Sequence, residues 1–346
     1  MPSSRKLTIY DLASLAGTSA STVSAVLNGT WKKRRISKAS AEAIQKIAEE
    51  AGYLHNMQAR GLRKHRSGLI GMIIPLHDNR FFSSISQVFE REARARDFWP
   101  IVVSTLRDPE MEISTARTLM SYRIEYLLVT GATDPDGIGS VCDAAGVRHV
   151  NLDLPGRTAP SIISDNYQGA YDLANAVYDR IFAETGEKAP WVPFLGGRAQ
   201  DHATARRIEG FSDAARDRGM PLYPEQIEAR GYAPELAEAT IRKLYETHGK
   251  LPSGLFINST IAFEGVIRFF RTLPRNELHT LVVGCYDWDP FATLVDFPLI
   301  MVRQDVEKLV TGAFSLIDAG DFSAREPILV QPQLVTDLGG YDRRDA

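Results

Sequence analysis

The sequence predicts a small all-α head followed by a larger α/β body that contains two doubly wound parallel sheets. Three observations predict it. Charge is split along the chain: Met1 to Arg66 holds 12 Lys/Arg against 4 Asp/Glu, while the remainder holds 28 against 39. Two short helical patterns separated by a glycine-containing break open the chain. From Leu69 onward, apolar runs of strand length alternate with helical stretches, and the alternation starts afresh near Trp191. The 346 residues supply enough chain for two or three cores.

In the head, Thr8 followed by Asp11 has the form of an N-cap with a carboxylate reaching back, opening a helix from Ile9 to Ala16. Ile9, Leu12, Ala13 and Leu15 give it an apolar face. Gly17-Thr18 breaks it, Ser19 caps a second helix from Ala20 to Leu27, and Asn28-Gly29 closes that helix. Val23, Val26 and Leu27 are expected to face inward. A third helix, Lys38 to Ala51, is capped by Ser37 and stopped by Gly52; Ala43, Ile44, Ile47 and Ala48 are expected to cover the first two. Two short helices joined by a tight turn form a helix-turn-helix, whose second helix enters the major groove of DNA. A basic head on an acidic body brings only the head to phosphate.

In the body, Leu69 to Pro75 is a continuous apolar run, as a buried parallel strand requires. Further strands are expected at Pro100 to Ser104, Tyr126 to Thr130, His149 to Leu152, Trp191 to Leu195, Gly254 to Asn258 and Thr280 to Gly284. Helices are expected at Ser84 to Arg96, Glu112 to Tyr122, Ala203 to Arg218, Pro234 to Glu246 and Ala262 to Arg271.

Composition excludes several classes. Hydrophobic and charged fractions of 44% and 24% are those of a globular protein. No apolar run reaches the roughly 18 residues that a membrane span needs, and the polar N-terminus lacks a signal-peptide core. Cys142 and Cys285 follow no metal or redox spacing and read as thiols of a reducing compartment. The expected location is the cytoplasm, on the nucleoid when DNA is bound, with no membrane partner and no cofactor. No dinucleotide, Walker, nucleophile-elbow or zinc-protease motif occurs, so an enzyme is not expected.

LTIYDLASLAGTSASTVSAVLNG, followed by RISKASAEAIQKIAEEAGYLHN, resembles the DNA-binding domain of the LacI/GalR repressors. Within that family the resemblance is to the branch of sucrose-operon and fructose (catabolite) repressors. It implies a helix-turn-helix domain at 1–54 and a hinge at 55–66. It also implies a body of periplasmic-binding-protein type, with one lobe from 67–164 plus 295–321 and the other from 165–294 plus 322–346. The implied crossings between lobes lie near Ser164-Asp165, Asp289 to Val295 and Asp321. Gln58 to Arg63 matches the family's hinge, which implies that Leu62 wedges into the minor groove of a pseudo-palindromic operator. The implied DNA-contacting set is Thr8, Ser19, Ala20, Ser21, Thr22, Ser24, Ala25, Asn28, Lys32, Lys33, Arg34, Arg35, Asn56, Ala59 and Leu62. Ala25 stands where the family usually has a polar or basic reader, with Ala20 and Ser21 at the other exposed reading positions. Alanine offers only apolar contact, for example to a thymine methyl. The loop at Trp31 to Arg35, longer than in the lactose repressor, adds four successive cations for phosphate.

Ligands of open α/β sheets bind at strand carboxyl ends. Residues there include His77, Asp78, Asn79, Phe81, Phe82, Asp153, Arg198, His202, Asn258, Tyr286, Asp287, Trp288 and Asp289. The resemblance places Asp153, Arg207, Asn258, Asp287 and Gln304 at or beside effector positions, although Gly284-Cys-Tyr-Asp-Trp-Asp runs one residue out of step with the family's pattern at Asp287. Carboxylates and amides suit vicinal hydroxyls, and an arginine fork suits ring oxygens. Phe82, Trp288 and Trp99 are candidates to cover an apolar sugar face. The acidic cleft favours a neutral sugar such as sucrose or another fructose-containing sugar; a phosphorylated sugar is the alternative. The expected partners are double-stranded operator DNA, a small sugar effector that releases it, and a second copy of the chain as a homodimer. The polar tail after Leu338 has no place for a tetramerising helix.

Overall fold

The computed structural model describes residues 7–53, 66–187, 190–295 and 297–336. The chain divides into two compact units, Met1–Ser67 and Gly68–Ala346.

The first unit holds three helices, α1 (Ile9–Leu15), α2 (Ala20–Leu27) and α3 (Lys38–Glu50). Each begins at the cap its sequence announces. The Asp11 carboxylate accepts from the Thr8 amide at 2.8 Å, and the Thr8 hydroxyl accepts from the Asp11 amide at 3.3 Å. The Ser19 and Ser37 hydroxyls each accept a backbone N–H at 3.1 Å. Leu12, Val23, Val26, Ala41, Ile44 and Ala48 form the core, with Trp31, Ile36 and Tyr53 packed against it. Two expectations need correction. Leu15 is 60% exposed, because it lies three residues from Leu12 on the rim of α1. Ala43 is exposed and Ala41 is buried, since the inward stripe of α3 runs 41, 44, 48.

The second unit begins with β1 (Leu69–Ile74), α4 (Arg80–Ala95), β2 (Trp99–Ser104), α5 (Pro109–Ser121), β3 (Tyr126–Thr130), α6 (Pro135–Ala145), β4 (Arg148–Leu152) and β5 (Ser161–Ser164). It continues with α7 (Asn166–Thr185), β6 (Phe194–Leu195), β7 (Gly197–Arg198), α8 (His202–Asp217), β8 (Ile227–Glu228), β9 (Arg230–Gly231), α9 (Pro234–His248), β10 (Gly254–Ile257), α10 (Thr260–Phe270) and β11 (Val282–Tyr286). It closes with β12 (Leu299–Arg303), α11 (Val306–Ala319), β13 (Ile328–Val330) and β14 (Gln333–Val335).

Two six-stranded sheets result. The first runs β13-β5-β4-β3-β1-β2 and is wholly parallel; the second runs β14-β12-β11-β10-β6-β8, with only β14 antiparallel. In each, strand order reverses beside its first strand, between β1 and β3 and between β6 and β10, and such reversals are where α/β sheets hold ligands. Both sheets are sandwiched. Ile70, Met72 and Ile74 pack on α4 and α11, and Ile73 turns to the other face with α5 and α6. Phe194 and Phe256 pack on α7 and α8, and Leu255 and Ile257 on α9 and α10.

The chain crosses between lobes three times, after β5, after β12 and after β13. The last two differ from expectation. Residues Pro290–Leu294 form a 3-10 turn, capped by the Asp289 carboxylate accepting from the Phe291 amide at 3.0 Å, that leads into β12 of the same sheet. Residues 299–303 therefore belong to the second lobe. The Asp321 turn stays in the first lobe, because β13 pairs with β5; the final crossing is at Gln331-Pro332.

Candidate functional site

In the first unit, α2 and its two caps, Ser19 and Asn28, carry seven of the fifteen DNA-contacting residues that the sequence names. Ser19 and Ser21 are exposed, with their hydroxyls 2.8 Å apart. Thr8 and Ser19 also serve as caps, so their oxygens already hold backbone donors. Asn28 folds back on its own helix, its amide nitrogen donating to the Ser24 carbonyl at 2.7 Å and hydroxyl at 3.1 Å. Ala25 is 4% exposed, one residue before core Val26, so it presents less surface than the expected reading position suggests. Ala20 and Thr22 are half-buried, Ala20 against the core. Lys32, Lys33, Arg34 and Arg35 are all exposed, and among the described residues none pairs with a carboxylate. Trp31 roots their turn in the core, and the Ile36 amide closes it on the Trp31 carbonyl at 3.0 Å. Asn56, Ala59 and Leu62 lie outside the described residues.

In the second unit, a polar ring lines the space between the lobes. Asp153 follows β4 and Asp287 follows β11, both buried and both with φ of 70°. Left-handed backbone is uncommon for a residue with a side chain and marks a position held by its surroundings. Gln304, at the second crossing, donates from Nε2 to Asp287 at 2.6 Å and accepts from the Ser164 hydroxyl at 2.5 Å. Arg207, on α8, is 4% exposed; it donates to Asn166 Oδ1 at 2.8 Å and to the Asn258 carbonyl at 2.7 Å, and its guanidinium lies 3.6 Å from the Tyr286 ring centroid. The Asn258 amide nitrogen reaches Thr204 Oγ1 at 3.5 Å, and that hydroxyl lies 3.0 Å from the Tyr232 hydroxyl. Arg198 donates to Asp201 at 3.0 Å. Three buried atoms of this ring have no hydrogen-bond partner among the described residues: Asn258 Oδ1, Tyr286 OH and Arg198 Nη2. The Asp153 carboxylate also has no hydrogen-bond or ion-pair partner among the described residues, although its oxygens are not sealed from solvent as those three atoms are.

Burial drives the electrostatics. It pushes the Asp153 carboxyl up to about 6; Arg207 and Arg107 pull it down, and Asp287 and Asp201 add to the rise. Burial also raises Asp287, against Arg207 and the Gln304 hydrogen bond.

The aromatic candidates fare differently. Asn79 caps α4, accepting from the amides of Phe81 at 2.8 Å and Phe82 at 3.3 Å. Phe82 is buried at the mouth of the first lobe, and half-buried Phe81 packs against that core. Trp288 packs on the second lobe and has one face covered by Arg303 at 4.0 Å, which narrows its use as a sugar platform. Trp99 is a correction: it opens β2 at the amino end, 63% exposed, remote from the carboxyl ends that form the site. Two cavities flank the Arg80–Asp289 ion pair, which joins the lobes at 2.7 Å. One, of about 410 Å³, is lined by Phe81, Asp287, Trp288 and Gln304; the other, of about 560 Å³, by Asp78, Asn79, Thr260 and Phe263. Sequence reasoning missed Ser164, Asn166, Thr204, Tyr232 and Arg107. Ser164 and Asn166 flank a crossing that was anticipated, a signal that could have drawn attention to them.

A helix-turn-helix unit in one chain with a two-lobed α/β body, a buried polar ring between its lobes, is the architecture of a regulator with its own ligand-binding domain. Residues 8–56 match the family described as bacterial regulatory proteins, lacI family, and residues 67–271 match that described as periplasmic binding proteins and sugar binding domain of LacI family. The chain belongs to the LacI family of bacterial regulatory proteins and is not an enzyme. The ribitol operon repressor of Klebsiella aerogenes is 52% identical over 194 residues, 56% of this chain and 72% of that protein. The sucrose operon repressor of Klebsiella pneumoniae is 26% identical over 329 residues, 94% of this chain and 95% of that one. A solved structure of the lac repressor dimer bound to operator and the anti-inducer ONPF gives a TM-score of 0.78 at 20% identity, over 96% of this chain and 98% of that one, a likeness of fold.

Proposed function

We propose that this chain is a transcriptional repressor that holds an operator as a homodimer and releases it when a small neutral sugar or sugar alcohol enters the interlobe site. The observation that carries the reading is the Asp153 carboxylate, 8% exposed and unpartnered among the described residues. Burying an ionised carboxylate without a partner is costly, and the hydroxyls of a polyol supply the missing donors. The charge balance supports a neutral ligand. Arg80 pairs with Asp289 and Arg198 with Asp201, which leaves three arginines, Arg107, Arg207 and the Arg303 that covers Trp288, against three carboxylates, Asp78, Asp153 and Asp287. The relative named for the ribitol operon makes a pentitol the first compound to try; sucrose, favoured by the sequence pattern, is the second.

A second reading has its own support. Arg198 Nη2 is buried without a partner, and free guanidinium donors suit a phosphate, so a phosphorylated sugar remains a candidate effector. On the DNA side, Ser21, the four cations of Lys32 to Arg35 and Leu62 of the hinge are proposed to carry most of the grip, with sequence choice leaning on DNA shape.

Thermal shift and operator binding, measured with ribitol, sucrose, fructose 1-phosphate and inorganic phosphate, test both readings. Stabilisation and operator release by ribitol or sucrose support the first. Response to fructose 1-phosphate alone moves the assignment to the second. A complex that tightens with ligand reverses the sign of control, and no response to any of the four removes this account of the site.

A further inference from the structure

We propose that Arg107 is an effector-contacting, specificity-determining residue that reaches from the first lobe across the cleft and donates to the ligand from the free edge of its guanidinium. The proposal rests on the reading of the interlobe site given above.

Arg107 sits just beyond the carboxyl end of β2. Leu106 and Arg107 have φ of 54° and 59°, two successive left-handed residues, neither of them glycine. Such backbone costs of order 1 kcal/mol or more per residue and persists where neighbours hold it. Here the Thr105 and Leu106 amides donate to the Ile74 and Pro75 carbonyls at 3.0 and 2.8 Å, and the Asp108 amide to the Thr105 carbonyl at 2.9 Å. The turn sends Leu106 into solvent, 63% exposed, and half-buries Arg107.

The guanidinium lies 5.7 Å from the ring centroid of Phe82 on its own lobe and 4.7 Å from that of Tyr232 on the other. Aromatic rings hold a guanidinium by its cation–π attraction and consume none of its N–H donors. Among the described residues no carboxylate and no hydrogen-bond acceptor meets those donors. An arginine fork that is positioned but unfilled has its donors available for a ligand. Its surroundings are those of the site: its charge acts on Asp153, and Tyr232 leads through Thr204 and Asn258 to Arg207.

A pin between lobes would need only the cation, whereas a ligand contact needs the fork. Arg107→Lys keeps the first and loses the second. Calorimetry on the full chain, using whichever of ribitol, sucrose and fructose 1-phosphate the unaltered protein binds most tightly, separates the roles. Arg107→Ala and Arg107→Lys are each expected to weaken binding about tenfold or more. Their ligand-free melting temperature and operator affinity are expected to stay close to those of the unaltered protein. Full ligand affinity in Arg107→Lys, or equal losses of ligand and operator binding in Arg107→Ala, overturns the proposal. An unaltered protein that binds none of the three overturns the site reading itself, and this inference with it.

Discussion

At the scale of single residues, the site is built from groups that fit poorly until something binds. The clearest is Asp153. Because burial raises its folded-state pKa to about 6, the folded chain holds that proton more tightly than the unfolded chain. The associated stability is complete below about pH 4 and is lost as pH rises through about 6. Asp153→Asn should therefore flatten part of the stability profile between these limits and stabilise the fold at pH 7 by at most about 3 kcal/mol, read as a higher melting temperature. Asn is at ease in left-handed backbone, so the φ of 70° is no obstacle. Asp287, also raised by burial, leaves a residual slope. The same variant should lose most of its effector response. Thermal melts across pH with and without ribitol check both halves, and a lower melting temperature at pH 7 would contradict the first.

At the scale of elements, legibility followed the strength of the local signal. The three head helices were readable because caps and periodicity agree. Strands β1, β3 and β10 were readable as apolar runs between turns. Helix starts came late: α4 begins four residues before the expected Ser84 because Asn79 caps it, and α5 begins at Pro109 behind Asp108. Of the strand expected over Trp191 to Leu195, only Phe194–Leu195 pairs; Pro193, lacking an N–H, serves only as an acceptor for Phe256. Helix α7, 20 residues long, was missed, because it packs against both α8 and the sheet and so lacks a single apolar stripe. Asp153, Arg207, Asn258 and Gln304, which the structure brings into one buried polar ring, were picked out through family resemblance, while Tyr232 and Arg107 were not, since no local pattern marks a contact made across a cleft. The α7–α8 contact also gives a test. A Cβ on Gly210 would collide with the Tyr167 carbonyl oxygen and lie 3.0 Å from the Tyr171 amide. These are backbone atoms, so the helices must separate. Gly210→Ala should cost about 1–3 kcal/mol in urea unfolding and weaken effector binding, because Arg207 one turn away loses its hold on Asn166. An unfolding midpoint equal to that of the unaltered chain would show that the helices accommodate it.

At the scale of the whole molecule, charge is divided as the work is proposed to be. The head carries the positive excess, and its four loop cations have no carboxylate of their own among the described residues. Replacing Lys32, Lys33, Arg34 and Arg35 together by glutamine should lower the salt dependence of operator binding, by a slope of up to roughly 3.5 for each head that meets phosphate and so up to about 7 for the proposed dimer. Binding of the effector to the same variant should not change. Anisotropy titrations over a salt series decide it, and an unaltered slope would mean that the loop is solvated. Because Ala25 is buried, the exposed face of α2 is narrower than its sequence suggests, in keeping with the proposal that shape and hinge carry more of the discrimination.

The short chain of hydrogen bonds from Asp287 through Gln304 to Ser164 has a further consequence. Ser164 ends the strand before one crossing and Gln304 begins another, so the bond between them ties together two of the three segments that join the lobes. A ligand that takes Asp287 or Gln304 from this chain would exchange a bond between connectors for a bond to itself, and any arrangement of the lobes that offers it better partners would gain in population by that difference in binding free energy.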